Sequence, residues 1–174
     1  MEGPDPVGSM GSPDPVGDRW GVQVSEQLEE LGWTAGLLRT LGERIARAET
    51  AEARAFGQNL IKHADTLSRL KDGALAFTAR VMEADASLGE GPSARGQVLD
   101  ALRKCGTAMV AAASGYTVTA RQIHGLGGEL KTAMGEAMII ARLVEERGKQ
   151  MSRLAQKLRT EGTTRTAGLP VSSG

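Results

Sequence analysis

The sequence predicts an all-α protein built as a long antiparallel helical hairpin, with coiled-coil packing and a dimeric assembly. Three observations predict this fold. Apolar residues recur at every seventh position from residue 102 to residue 158, and only one internal stretch, 87–93, is rich in helix-breaking residues. Aromatic residues make up only 3% of the chain, which suits a core of Leu, Ala, Met and Val between helices packed side by side.

Both ends of the chain are predicted to be tails. The phrase PDPVG occurs twice, at 4–8 and at 13–17, and four of the six prolines lie there. Such a segment cannot hold a helix and offers little surface to bury, so residues 1–17 are predicted to be a disordered Pro/Gly-rich tail. Residues 163–174 are predicted to be a flexible polar tail, which leaves 18–162 as the helical domain.

One turn divides this domain into two segments of nearly equal length. Gly91 and Pro92 would interrupt a helix, and Ser93 can cap the helix that follows. The predicted helices span about 18–86 and 94–162. Two long helices joined by a short turn fold back as neighbours, which predicts the hairpin.

The second helix carries the most regular pattern. A repeat of 3.5 residues keeps one stripe of a helix facing its partner, and this indicates a coiled-coil seam. The row beside the seam is mostly Gly and Ala, which would let a neighbouring backbone approach closely. The predicted helix–helix interface consists of Leu102, Met109, Tyr116, Ile123, Leu130, Val144, Met151 and Leu158.

Both predicted helices contain an irregularity. The apolar repeat keeps its phase across Gly125-Leu126-Gly127-Gly128, which favours a kink in the second helix over a break. In the first helix the repeat shifts near residues 48–55, which would bend the rod. Because two helices alone bury only one stripe each, we expect a homodimer or a larger assembly.

The residues that could perform catalysis are few and scattered. His63 and His124 fall on different helices, and Cys105 falls on the seam, where it is expected to act as a small hydrophobic residue. A nucleophile needs an adjacent base, and a metal needs convergent ligands. The sequence therefore predicts a protein that is not an enzyme, with no catalytic, metal or cofactor site.

Other features indicate where the protein resides. A single cysteine permits no intramolecular disulfide and favours a reducing compartment. The N-terminus lacks the pattern of a secretory signal, and the longest uncharged stretch, 105–120, is too short and polar to span a bilayer. A cytoplasmic location is expected, with peripheral membrane contact left open.

The charges favour local rather than global recognition. Lys and Arg total 21 and Asp and Glu total 21, so no net charge recruits nucleic acid. A strip of basic residues on a rigid rod could bind anionic lipid, whereas the alternative is a solvated exterior. The basic residues on outward rows are Arg44, Arg47, Arg54, Arg121, Arg142, Lys149, Arg153 and Arg159.

Scattered positions between residues 20 and 151 resemble the start of an F-BAR (FCH) domain. The resemblance begins with Trp20 and continues through residues 43–67, ERIARAETAEARAFGQNLIKHADTL. Glu43-Arg44 fits the family's ERA-type phrase, and Phe56-Gly57 stands where the family has Tyr-Ala or Tyr-Gly. The matching landmarks are Leu60, Ala64, Gly91-Pro92, His124 and Lys149-Gln150-Met151.

The resemblance implies a crescent-shaped homodimer whose basic concave surface binds anionic phospholipid and senses or imposes curvature. It implies lipid contacts for Arg44, Lys62, Arg142, Arg147 and Lys149, although Arg147 also falls on the predicted seam. A second hypothesis stays open beside it, in which the chain is a coiled-coil scaffold or assembly subunit that binds partner helices without lipid contact.

Overall fold

The computed structural model describes residues 15–88 and 91–167, with side chains described for 20–84 and 94–162. Within these ranges the chain is all-helical, as predicted, and contains no strand. It forms four helices rather than two. They are α1 (Pro15–Ile45), α2 (Ala51–Leu88), α3 (Gly91–His124) and α4 (Leu130–Ala167).

The outer boundaries differ somewhat from those predicted. Helix α1 begins at Pro15, inside the predicted N-terminal tail, because proline's fixed φ suits the first turn of a helix. Helix α4 continues to Ala167, five residues beyond the predicted end. The remainder of both predicted tails lies outside the described residues, as do residues 89–90 of the predicted turn.

The predicted kink at residues 125–128 is wrong, because the helix ends there and a new one begins. Gly127 and Gly128 adopt φ values of +78° and +82°, in the left-handed region that favours glycine. At the end of α3 the amide of Gly125 donates to the carbonyl oxygen of Arg121, and the amide of Leu126 donates to that of Ile123, each at 3.0 Å. Two consecutive left-handed residues cannot continue a right-handed helix, so the repeat resumes in a separate helix.

The phase shift near residue 48 is a second break. Helix α1 ends at Ile45, and Thr50 begins α2 as an N-cap residue whose hydroxyl accepts a 3.3 Å hydrogen bond from the amide of Ala53. The guanidinium of Arg54 donates to the carbonyl oxygens of Ala48 and Glu49, at 3.1 and 2.6 Å. This linker is therefore held by its own side chains.

The four helices form a bundle in which each packs mainly against two others. Helix α1 contacts α2 and α4, and α3 contacts α2 and α4. The ion pairs between α1 and α4 run in reverse order: Glu30 bonds Arg147, and Arg44, later in α1, bonds Glu136, earlier in α4. A further ion pair joins Arg39 of α1 to Asp65 of α2.

Two helix pairs are held together by close backbone contact. A Cβ atom added to Gly148 would lie 2.5 Å from the carbonyl oxygen of Gly106, and one added to Gly57 would lie 2.6 Å from that of Gly42. Gly106 and Gly148 lie on the row of small residues beside the seam, and the close approach joins α3 to α4, which the sequence predicted as one helix. Helices α1 and α2 use the same device, which brings each pair closer than α1 to α4 or α2 to α3.

Candidate helix-binding surface

The residues predicted to form a helix–helix interface face the interior of this single bundle. Seven of the eight are at most 6% exposed, and Leu130, next to the α3–α4 linker, is half-buried. The apolar seam is therefore filled by the chain's own four helices. A partner must use another surface.

The predicted lipid-binding residues are spread over all four helices and the first linker. Lys149, which is half-buried, and the exposed Arg44 are engaged with acids, through a 2.7 Å bond from Arg44 to Glu136 and a 3.0 Å bond from Lys149 to Glu145. These bonds raise the pKa of both cations. Arg54 is engaged with backbone carbonyls of the linker. The remaining predicted residues are exposed, namely Arg47, Lys62, Arg121, Arg142, Arg153 and Arg159.

The predicted lipid-binding residues lie on helices that do not all pack against one another. Helix α3, which carries Arg121, does not pack against α1, which carries Arg44. Arg147 is 15% exposed and bonds Glu30 at 2.8 Å, so it bridges two helices at the edge of the core. Lipid binding by these residues stays a prediction.

The candidates for catalysis occupy structural positions. His63 Nδ1 and the Tyr116 hydroxyl share a hydrogen bond of 2.5 Å between α2 and α3. Cys105 lines an apolar cavity, and burial raises the pKa of its thiol. Among the described residues no three His, Cys, Asp or Glu side chains are placed to hold a metal ion.

Tyr116 gives a direct optical test of this interior. Burial raises its pKa to about 12, whereas an unfolded tyrosine titrates near 10. Because the folded state disfavours the phenolate, the stability linked to Tyr116 is fully present below about pH 10 and is lost as the pH rises through about 12. Tyr116 is the only tyrosine, so tyrosinate absorbance should titrate near 12 in the folded protein and near 10 in urea. A folded midpoint near 10 would contradict the burial.

A group of apolar side chains lies exposed beside the α1–α4 contact. Trp33 is 59% exposed, Ile139 is 64% exposed and Leu143 is 39% exposed, while Leu37 is half-buried. Trp33 and Leu37 are four residues apart on α1, and Ile139 and Leu143 are four apart on α4, so each pair shares one helix face. We name these four residues the α1–α4 strip.

Two ion pairs bracket the strip. Glu30 bonds Arg147 at one end and Arg44 bonds Glu136 at the other, at 2.8 and 2.7 Å. Leu37 lies midway between Glu30 and Arg44 in the same heptad row, and Leu143 lies seven residues after Glu136. The strip is therefore a bounded apolar window with a polar rim, the arrangement found in protein–protein interfaces.

Opposite charges stand side by side next to the strip. Between Trp20 and Leu38, helix α1 carries Glu26, Glu29 and Glu30 and no Lys or Arg. The adjacent part of α4 carries no acid between Arg147 and Thr160, and its bases are Arg147, Lys149, Arg153, Lys157 and Arg159. Of these residues, Glu26 and Glu30 on α1 and Arg147 and Arg153 on α4 lie on rows beside the strip, so this half of the face is acidic on α1 and basic on α4.

The strip could not be recognised from the heptad repeat, because its residues lie off the apolar row. Trp33 falls between Leu31 and Ala35 of the buried row, and Ile139 falls between Ala137 and Ile140. The available signal was a large apolar residue at an outward position of an otherwise polar face. Among the side chains that the structure describes, the other exposed large apolar ones are Val22, Leu70, Val118 and Leu126.

Comparison with known proteins adds no family assignment. The chain matches no protein-family model and no curated protein. The F-BAR resemblance therefore stays a prediction. Within the part of the chain that the structure describes, no helix is both long enough and apolar enough to cross a membrane.

Proposed function

We propose that this protein is a non-enzymatic assembly module that forms a symmetric homodimer through the α1–α4 strip. The observation that carries the proposal is an exposed apolar window, containing a tryptophan, between two interhelical ion pairs. Tryptophan is the residue most enriched among those that dominate binding energy at protein interfaces. In this proposal α1–α2 and α3–α4 act as two antiparallel coiled-coil hairpins, and their outer edge recruits the partner.

The charge pattern indicates a second copy of the chain as the partner. A twofold axis parallel to the helices would place α1 of one copy over α4 of the other at the same height. The acidic part of each α1 would then face the basic part of the partner's α4, and this contact occurs twice in a closed dimer. A twofold axis across the helices would instead reverse each α1 over the partner's α1 and bring Glu30 near the partner's Arg44, and the charge-reversal test below distinguishes the two axes.

Glu26 and Arg153 provide the test of this arrangement. Glu26 shares its heptad row with Trp33, and Arg153 shares its row with Ile139, so both side chains lie on the outward side that carries the strip. Glu26 lies four residues before Glu30, and Arg153 lies six residues after Arg147. Because Glu30 and Arg147 bond each other, Glu26 and Arg153 lie within about one helical turn of the same level along the bundle axis. In the proposed dimer each Glu26 therefore faces the partner's Arg153.

Reversing either charge should weaken the dimer, and reversing both should restore it. Exposed ion pairs contribute about 0.2–1 kcal/mol, and the dimer contains each contact twice, so Glu26→Arg or Arg153→Glu should raise the dimer Kd roughly tenfold. The double variant should return within about threefold of the parent, because opposite charges again face each other. Light scattering over a dilution series gives the mass and the Kd.

Arg69→Glu is the matched control, because Arg69 is exposed on α2, which does not pack against α4. It should leave the Kd unchanged. A monomeric mass at all concentrations, or a double variant weaker than both single variants, contradicts the proposed dimer. Salt-sensitive binding to phosphatidylserine vesicles that is lost in Arg142→Glu/Lys149→Glu would instead favour the lipid-binding alternative.

A further inference from the structure

A cavity lies on the side of the bundle formed by α2 and α3. It has a volume of about 100 Å³ and opens between α2 and α3. Leu70, Ala74 and Phe77 line it from α2, and Ala101 and Cys105 line it from α3. Met151 of α4 and residues of α1 close its inner end. None of the four residues of the α1–α4 strip lines it, so it is separate from the proposed dimer contact.

The cavity forms where small side chains face each other between α2 and α3. Ala74, Ala101 and Cys105 face a gap between α2 and α3 that no glycine contact draws together. Leu70 is 51% exposed although it occupies the apolar row, so it lies at the mouth rather than filling the gap. Ala101 is also exposed and forms the opposite side of the mouth.

We propose that this cavity binds a small uncharged apolar molecule, of the size of one aromatic ring or a short hydrocarbon. Its lining is aliphatic and aromatic, and the Cys105 thiol is its only polar group. An enclosed cavity of about 150 Å³ with such a lining accepts benzene or xenon. This smaller recess opens between Leu70 and Ala101, so its occupant is at most one ring in size. A carboxylate or an ammonium group would find no opposite charge there and would lose its hydration.

The thiol serves as a reporter rather than as a reactant. Burial raises the pKa of Cys105, which keeps it protonated and a weak nucleophile, so binding is non-covalent. It is the only cysteine in the chain, so alkylation reports on this one partly exposed side chain. A bound molecule should shield it.

The experiment measures alkylation of Cys105 in the full chain by a small neutral iodoacetamide, with benzene as the probe. Protection follows one plus the ratio of ligand concentration to Kd, so benzene at about four times its Kd should slow alkylation about fivefold. Benzene should also raise the midpoint of thermal unfolding. Benzoate, which has the same ring with a negative charge, should do neither.

Ala101→Leu should abolish both effects, because the larger side chain closes the mouth. Ala108→Leu is the matched control, since Ala108 is an exposed alanine two turns further along α3 and outside the cavity. The parent protein alone can overturn the proposal: benzene that changes neither the alkylation rate nor the unfolding midpoint excludes the site, whatever the variants do. Because dimerisation is measured separately by mass, failure here leaves the proposed dimer untouched.

Discussion

Replacement of Gly148 by alanine is expected to destabilise the bundle by about 2–3 kcal/mol, the upper range for inserting one methyl group into a packed contact. The new Cβ would lie 2.5 Å from the carbonyl oxygen of Gly106 and 3.0 Å from the Cβ of Met109. Backbone atoms of two long helices cannot move aside as the end of a flexible side chain can. Helices α3 and α4 must separate, and that separation loosens the buried residues on either side.

Gly115 provides the control for this substitution. It lies in the interior of α3, and an added Cβ would have no atom within 4 Å. Gly115→Ala should therefore stabilise the protein by about 0.5–1 kcal/mol, the ordinary gain of alanine over glycine in a helix. Urea unfolding at one fixed protein concentration measures both variants. Equal effects at the two positions would mean that α3 and α4 are not in backbone contact.

Replacement of Trp33 by alanine is expected to dissociate the proposed dimer, raising its Kd about a thousandfold. A tryptophan at the centre of an interface is commonly worth about 2 kcal/mol or more, and a twofold dimer loses the contact twice. The stability of the single chain should change by less than about 0.5 kcal/mol, because an exposed side chain contributes little to its own fold. This separates a loss of association from a loss of folding.

Tryptophan fluorescence provides an independent measurement of the same event. The only other tryptophan, Trp20, is 2% exposed and should be insensitive to dilution. The parent emission should shift to longer wavelength on dilution as Trp33 meets water, and Trp33→Ala should lack this shift. Val118→Ala, which removes an exposed apolar side chain from α3, should behave like the parent. Dimeric mass in Trp33→Ala at low concentration would contradict the assignment of the interface.

The interior of the bundle could be predicted from the sequence, because periodicity reports which face of a helix is buried. The heptad row identified Met109, Val144 and Met151, which are at most 2% exposed. The neighbouring row of small residues predicted a close backbone approach, but the contact, between Gly106 and Gly148, lies within what the sequence predicted as one helix. Both follow from local spacing, which survives whatever the helices pack against.

The helix breaks and the binding surface could not be predicted in this way. The apolar phase runs from Ile123 to Leu130 without a slip, and a linker of suitable length preserves phase as well as a continuous helix does. Only the left-handed glycines 127 and 128 end the helix, and the sequence does not state their φ. The strip was missed because its residues become neighbours only after α1 and α4 are brought together.

The glycine contacts also determine the cross-section of the bundle. They join α1 to α2 and α3 to α4 by backbone contact, whereas α1–α4 and α2–α3 have no such glycine contact. Between α1 and α4 and between α2 and α3 side chains fill the space between the helices, and where they are short or turned outward a recess or a ridge remains. The cavity between α2 and α3 is such a recess, and the strip beside α1 and α4 is such a ridge. Both binding features would thus originate in four residues that have no side chains at all.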